Sequence, residues 1–319
     1  MEQAALILAL AVLFASTMLS FRLANFATAQ DYTTIIIRAD GSIEGTDKIQ
    51  RTGDVYVFTG NVSGNIKVRK GNIIIDGAGF TLNADNGTGI EIASEATRHP
   101  SELDVWNVTV RNLKITNFHI GIKCEFGGNH TFYGNYISND FVSHNGTGGF
   151  TWESLGIALW GSTGNNITYC TIGGSPAIYM HFVVSNNFVV ENNIVFGAHL
   201  AISGIETFER NYWSDYLERY PNASEVDSSG VWDTPYSIAD STGFENRVFQ
   251  DNHPLVNPLS IPNFATTLPT ITPPQQFSIT LFLLVASIII SVIALATGAF
   301  AYFKKHRVKR IPCQTTNAH

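Results

Sequence analysis

Short segments in which apolar and polar residues alternate recur between residues 30 and 257. In residues 107–115, for example, Val108, Val110 and Ile115 are set among polar neighbours. Alternation with a period of two predicts β-strands, because successive side chains of a strand point to opposite faces. Asn and Gly separate the segments and tolerate the positive φ angles of tight corners, which favours a stack of short strands over long hairpins.

One phrase of this pattern repeats: a small residue, then Ile, then usually an apolar residue two places later. The copies are Gly89–Ile92, Gly121–Cys124, Gly156–Leu159, Ala177–Met180 and Ala201–Gly204. They begin 32, 35, 21 and 24 residues apart, which indicates coils of about 22 residues with insertions near 94–102 and 138–153. A single coil cannot bury its inner face, so such coils stack into a solenoid, with Asn ladders at the corners. The sequence therefore predicts an all-β fold, a parallel β-helix over residues 30–257.

Both ends of the chain carry segments that do not fit the repeat. Residues 1–29 contain an uncharged apolar run and end in Ala-Thr-Ala, which predicts a secretory signal peptide; the alternative is an uncleaved N-terminal anchor. Residues 277–303 contain no charged residue, which predicts a transmembrane helix, and the basic tail 304–319 predicts a cytoplasmic C-terminus. The Pro- and Thr-rich segment 258–276 predicts a stalk between the β-helix and the transmembrane helix. We therefore expect a single-pass membrane protein with an N-terminal ectodomain outside the cell.

The charge of the predicted exterior part restricts its partners. Residues 30–276 carry 13 Lys and Arg against 25 Asp and Glu, a net charge of −12. Such a surface repels nucleic acid and acidic polysaccharides over long range, so we expect no nucleic-acid partner. Neutral glycans, cations and envelope proteins are the partners that this charge accommodates.

Two further features fit an exterior location. The ectodomain contains only two cysteines, Cys124 and Cys170, so its stability has to come from a core and not from a disulfide framework. Seven Asn-x-Ser/Thr sequons are candidate N-glycosylation sites. They begin at Asn61, Asn86, Asn107, Asn129, Asn145, Asn166 and Asn222.

Four phrases carry a resemblance to a known family. Asn72–Leu82 resembles the opening coil of NosD-type β-helix proteins, a branch of the pectin-lyase-like superfamily. The phrases Asn211–Tyr216, Asp233–Tyr236 and Asp251–Leu255 resemble the closing segment of that family. The resemblance implies a right-handed parallel β-helix and, for some members, the handling of copper. The acidic run that usually precedes Asp233 in the family is reduced here.

Metal ligands are sparse in the predicted ectodomain. Copper is not expected, because Cys124 and Met180 fall at inward positions of the repeat and are therefore predicted to belong to the hydrophobic core. No cofactor is required by any pattern in the sequence. Asp215, Asp227 and Asp233 are candidate oxygen ligands for Ca²⁺ near the C-terminal cap, although their spacing is irregular.

The candidate glycan-binding residues are aromatic. Phe141, Phe150 and Trp152 lie in the second insertion, and Trp160 follows it; their rings are suited to stacking on sugars. The alternative is that these rings pack against the side of the solenoid.

Catalytic signals are weaker. Hydrolysis of a glycosidic bond needs two carboxylates, and elimination needs a base such as Lys123 or Arg111. The acidic residues near repeat or loop positions show no paired arrangement in the sequence; they are Asp76, Glu91, Glu125, Asp140 and Glu153. We therefore predict a non-catalytic surface protein that binds glycan or envelope protein, with a polysaccharide lyase or glycosidase, or a metal-handling protein, as alternatives.

Overall fold

The computed structural model describes residues 33–94, 104–139, 154–182, 184–195, 197–202, 204–240 and 249–261. These residues are nearly all β: they form 24 strands and one short helix, α1 (Tyr216–Arg219). The strands follow one another along the chain, and most pair in parallel with a strand about one coil away. The strands fall into three columns, which we call sheets I, II and III.

Sheet I holds the longest strands. They are β1 (Thr33–Ile37), β5 (Val62–Val68), β8 (Thr88–Ala93), β11 (Ile120–Glu125), β14 (Leu155–Trp160), β17 (Ile178–Phe182), β20 (Ala198–Ile202) and β23 (Tyr236–Asp240). A two-residue strand, β2 (Ile43–Glu44), pairs antiparallel with β1.

Sheets II and III hold shorter strands, which follow those of sheet I in the central coils. Sheet II consists of β3 (Ile49–Thr52), β4 (Val55–Phe58), β6 (Ile73–Asp76), β9 (Val108–Arg111), β12 (Thr131–Tyr133), β15 (Asn166–Thr168), β18 (Phe188–Val190), β21 (Thr207–Glu209) and β24 (Phe249–Asp251). Sheet III consists of β7 (Thr81–Asn83), β10 (Lys114–Thr116), β13 (Tyr136–Ser138), β16 (Thr171–Gly173), β19 (Asn193–Val195) and β22 (Tyr212–Trp213). This curled, parallel, solenoid-like arrangement is compatible with a parallel β-helix and confirms the predicted all-β repeat.

The register confirms the first four copies of the repeated phrase. Ile90 pairs with Ile122, Ile122 with Ile157, and Ile157 with Ile178, and all four side chains are fully buried. The next inward column contains Ile92, Cys124, Leu159, Met180 and Leu200, all fully buried as well. The prediction that Cys124 and Met180 belong to the core is therefore confirmed, and burial raises the pKa of the Cys124 thiol.

The predicted fifth copy, Ala201–Gly204, is wrong. Ile178 pairs with Ala198 and Met180 with Leu200, so the fifth copy starts at Gly197, 20 residues after Ala177. Ala198 replaces the Ile of the phrase, which hides this copy in the sequence. A shift by an odd number of residues would also turn Leu200 away from the core, so burial enforces the observed register.

Asn at the corner between sheets I and II supplies the sharp change of direction. In successive coils this corner is occupied by Asn72, Asn107, Asn129, Gly164 and Asn186. The four Asn residues have φ between 53° and 57°, and Gly164 has φ of 67°. The left-handed region is least costly for Gly and Asn, which explains their recurrence at one corner.

The C-terminal cap brings the three closing phrases together. The rings of Trp213 and Tyr236 stack with centroids 4.0 Å apart, and the Trp213 indole N–H donates to Asp251 at 3.1 Å. Beyond β24 the chain turns back over sheet III: the Leu259 N–H donates to Asn193 at 2.7 Å, and the Asn193 amide donates to the Leu259 carbonyl at 2.9 Å. The folded body therefore includes residues as far as Ile261, which is buried.

The predicted signal peptide 1–29, transmembrane helix 277–303 and tail 304–319, with the stalk beyond residue 261, lie outside the described residues. Among the residues that are described, no helix is long and apolar enough to cross a membrane.

Candidate functional site

Two columns of side chains project outward from sheet I. The register aligns Lys67, Glu91, Lys123, Ala158, Tyr179 and His199 in one column. It aligns Ala93, Glu125, Trp160 and His181 in the other. Neighbours within a column belong to strands about 4.8 Å apart, so they are in contact range. We call the ion-paired and aromatic members, with Arg69 beside them, the sheet I strip: Arg69, Glu91, Lys123, Glu125, Trp160, Tyr179, His181 and His199.

The N-terminal half of the strip consists of two ion pairs. Arg69 Nη2 lies 2.6 Å from Glu91 Oε1, and Lys123 Nζ lies 2.9 Å from Glu125 Oε1. The side chains of Arg69 and Lys123 are only 11% and 15% exposed. Partial burial reduces solvent screening, so these pairs hold their geometry better than pairs in open water.

Trp160 occupies the middle of the strip. Lys123 Nζ lies 4.2 Å from the ring centroid, a cation–π distance. The ring also packs against a small cluster of outward-facing residues that includes Ile120, Leu155 and Tyr179. Its indole N–H is buried and has no hydrogen-bond partner within the described part of the chain. Trp160 is thus held in place by packing on one side and by the Lys123 ammonium group on the ring face.

The C-terminal half of the strip is aromatic. The Tyr179 ring stacks on His181 and on His199, with centroids 5.8 Å apart in both cases. Phe182, which is 60% exposed, meets the His181 ring edge-on at 4.3 Å. Burial raises the pKa of the Tyr179 phenol, so this group is neutral at physiological pH.

The charge of this face differs from that of the ectodomain as a whole. Lys67, Arg69 and Lys123 outnumber Glu91 and Glu125 along the two columns, whereas residues 30–276 carry a net charge of −12. Cations therefore outnumber carboxylates locally on this face, and its partly buried donors and rings are suited to hydroxyl-rich groups.

Of the four predicted glycan-binding residues, the structure places Trp160 in the strip. Phe141, Phe150 and Trp152 lie outside the described residues. Direct stacking of a sugar on the Lys123 side of the Trp160 ring requires the Lys123 side chain to move away first.

The strip also brings two carboxylates to one face, which the sequence did not reveal. Glu91 pairs in register with Lys123, and Glu125 follows two residues later on the same strand, so the carboxylates sit on neighbouring strands. Each carboxylate is engaged by a cation, Glu91 by Arg69 and Glu125 by Lys123. Asp76 and Arg111, also considered above, pair with each other on sheet II at 2.9 Å.

The three aspartates predicted to bind Ca²⁺ lie around the C-terminal cap. Asp215 accepts hydrogen bonds from the Tyr236 hydroxyl at 2.9 and 3.0 Å. Asp233 accepts from the Ser224 N–H at 3.1 Å, and Asp227 is exposed on a turn with φ of 44°. No group of three or more His, Cys, Asp or Glu that suits a metal ion occurs in the described part of the chain. The calcium site stays a prediction.

Six of the seven sequon asparagines are described, and all six are exposed; Asn145 lies outside the described residues. Asn107 and Asn129 occupy the same corner of successive coils. Asn107 donates a hydrogen bond from its amide to Asn72 at 3.0 Å, and Asn61 accepts one from the Thr81 N–H at 2.9 Å.

Sequence reasoning missed Tyr179, His181 and His199 as members of one surface. Alternation alone places Tyr179 and His181 on the outward side of β17, and this signal was available. The position of His199 could not be predicted, because the sequence analysis placed the fifth copy of the phrase at Ala201 and not at Gly197.

Comparison with known proteins adds no relative. No protein-family model matches the chain, and no curated protein and no solved structure shows significant similarity to it. The resemblance to NosD-type proteins therefore depends on the sequence phrases described above.

Proposed function

We propose that this chain is a NosD-type right-handed parallel β-helix, displayed at the cell surface by one C-terminal membrane span, that binds a glycan or an envelope protein without catalysis. The sheet I strip is the proposed ligand surface. The observation that carries this proposal is the grouping of partly buried ion pairs and stacked rings on one face of the solenoid.

The chemistry of the strip supports a binding role. Aromatic rings offer flat apolar area to the faces of sugar rings, while fixed cations and carboxylates orient hydroxyl groups by hydrogen bonds. Tyr179 and His181 lie next to exposed Phe182, which extends the aromatic area towards solvent. A rigid column of parallel strands keeps these groups at fixed spacing, so a ligand pays little ordering entropy on the protein side.

The C-terminal cap supports the NosD assignment. The three phrases that resemble the closing segment of the family converge there through the Trp213–Tyr236 stack and the Trp213–Asp251 hydrogen bond. The apolar segment 277–303 and the basic tail 304–319 support the membrane anchor, and the sequons support exposure to the exterior.

A polysaccharide-active enzyme is the second candidate, and one observation favours it. Glu91, Glu125 and Lys123 lie together on one face, which is the set of groups that acid–base cleavage of a sugar chain uses. Against catalysis, each carboxylate is already held in an ion pair, Glu91 with Arg69 and Glu125 with Lys123, so neither is free to act on a glycosidic bond.

Incubation of the full-length chain, purified in detergent micelles, with a panel of neutral and acidic polysaccharides separates the two candidates. Binding is followed by co-sedimentation, and cleavage by reducing ends and by the ultraviolet absorbance of unsaturated products, each with and without Ca²⁺. Retention of a polysaccharide without product supports the binder. Product that disappears in Glu125→Gln overturns the non-catalytic proposal.

A further inference from the structure

A row of buried polar side chains follows the corner between sheets I and II. Each member accepts a hydrogen bond from a backbone N–H in the preceding coil. Val108 donates to His130 Nδ1 at 3.2 Å, His130 to Asn165 at 2.9 Å, Asn165 to Asn187 at 2.9 Å, and Asn187 to Glu206 Oε2 at 2.8 Å. Glu206 is therefore the last polar member of this ladder, since Phe249 occupies the same level in the following coil.

Glu206 accepts fewer hydrogen bonds than Asp251, the residue that ends the corresponding ladder at the next corner. Asp251 ends the ladder at the next corner, where its two oxygens accept from the N–H groups of Arg210, Asn211 and His253 and from the side chains of Asn211 and Trp213. Glu206 Oε1, in contrast, is buried and has no hydrogen-bond partner among the residues that the structure describes. The residue as a whole is 9% exposed. A carboxylate in this position would bury negative charge without adequate donors, which is costly.

The described neighbours of Glu206 in the ladder do not offset that charge. Asn187 lies on the preceding coil and Phe249 on the following one, and both are uncharged. The titratable member of the ladder, His130, is three coils away and is kept neutral because burial lowers its pKa to about 4. Burial raises the pKa of Glu206 to about 7, and the Asn187 hydrogen bonds counteract this only in part.

We propose that Glu206 is a proton-dependent latch on the last coils of the solenoid, which are closed when the carboxyl group is neutral and open more often when it is ionised. The latch lies in the connection between β20, which carries His199, and β21. Opening of this corner thus reaches the C-terminal end of the sheet I strip, although the proposal does not depend on what the strip binds.

The sign and size of the effect follow from proton linkage. The closed coil binds the Glu206 proton more tightly than the open one, so the stabilisation is present at low pH and is lost as the pH rises towards 7. With a pKa of about 7 in the closed coil and about 4.3 in water, the opening constant rises about tenfold between pH 6 and pH 8.

Hydrogen exchange of the full-length chain in detergent micelles, followed by mass spectrometry, tests the latch. After correction for the intrinsic pH dependence of exchange, peptides from residues 184–209 should lose about tenfold in protection from pH 6 to pH 8. Peptides from residues 62–92 should not. The variant Glu206→Gln should abolish the pH effect, whereas Glu218→Gln, at an exposed carboxyl group of α1, should retain it.

Equal pH dependence in the two sets of peptides overturns the proposal, as does an unchanged pH dependence in Glu206→Gln. If Glu206→Gln does not fold, the comparison of the two peptide sets within the unmodified chain still decides.

Discussion

The Lys123 ammonium group lies 4.2 Å from the centroid of the Trp160 ring and 2.9 Å from Glu125 Oε1. The two strands that carry these residues are adjacent in sheet I, and Glu125 pairs in register with Trp160. One cation thus links the charged half of the sheet I strip to its aromatic half. Because Lys123 covers one face of the ring that was predicted to stack on sugars, a ligand on that side meets the ammonium group and not the ring.

A double-mutant cycle measures this link. We expect Lys123→Met and Trp160→Leu to show a coupling energy of about 0.5–2 kcal/mol in the free energy of unfolding, the range of partly desolvated cation–π pairs. The measurement is denaturant unfolding of the two single variants and the double variant. The cycle Lys114→Met with Tyr136→Leu, in which the cation lies 5.4 Å from the ring on sheet III, serves as control and should show less coupling. If the effects of the two substitutions are additive, the contact between Lys123 and Trp160 contributes nothing to the free energy of unfolding.

The buried Asn ladder should be intolerant of truncation. Asn192 accepts from the Cys170 N–H at 2.9 Å and donates to the Ile167 carbonyl at 2.8 Å. Asn192→Ala leaves both buried groups without these partners, and each such group costs about 1–3 kcal/mol. Thermal unfolding should therefore show a large loss of stability, whereas exposed Asn222→Ala should stay within about 0.5 kcal/mol of the unmodified chain. If Asn192→Ala loses little stability, the hydrogen bonds of the ladder do not stabilise the fold.

The small residue that begins each repeated phrase is required by close packing between coils. A Cβ added to Gly121 would lie 2.6 Å from the Gly156 carbonyl oxygen and 2.6 Å from Ile137 Cγ2. We expect Gly121→Ala to destabilise the chain by about 1–3 kcal/mol, the usual cost of overpacking. In the control Gly60→Ala the nearest atom is Lys48 Cδ at 3.8 Å, so its unfolding midpoint should barely change. Equal midpoints for the two variants would contradict the observed stacking of Gly121 on Gly156.

His130 makes stability depend on pH in the acidic range. Burial lowers its pKa from 6.5 to about 4, so the unfolded chain binds the proton more tightly. The stability that this residue supports is therefore present above pH 6.5 and is lost as the pH falls towards 4. In His130→Asn, which copies the ladder residue Asn165, this loss should vanish.

The check is the difference in unfolding free energy between the unmodified chain and His130→Asn from pH 4 to pH 7. Glu206 contributes with the opposite slope over part of this range, but it does so in both proteins, so the difference isolates His130. A difference that does not vary with pH would contradict the assignment of a neutral, buried His130.

The architecture was predictable because one inward column repeats without interruption. Ile90, Ile122, Ile157 and Ile178 each follow a small residue, and alternation around them identifies strand and face. The prediction failed where Ala198 took the place of Ile, because the register there is set by burial of Leu200 and not by a recognisable phrase. Corner ladders were expected from Asn, but His130, Glu206 and Asp251 also fill ladder positions, where their side chains accept from backbone N–H groups of the preceding coil.

The candidate site was less predictable than the fold. Alternation shows that Lys123 and Trp160 face outward, but it does not show which outward residues are neighbours in different coils. That depends on register across insertions of different length, which is visible only after the strands have been paired. Ion pairs such as Arg69–Glu91 join residues 22 positions apart and leave no local signal in the sequence.

The most direct test of the sheet I strip is the binding of cell-envelope polysaccharide to full-length protein immobilised through its C-terminal tail. The comparison is between the unmodified chain, the strip variants Lys123→Ala and His181→Ala, and Tyr133→Ala, which removes an exposed ring from sheet II. Our account predicts retention by the unmodified chain and by Tyr133→Ala, with a loss of at least about tenfold, roughly 1.4 kcal/mol, in each strip variant. Absence of retention by the unmodified chain, or equal retention by all four proteins, would contradict it.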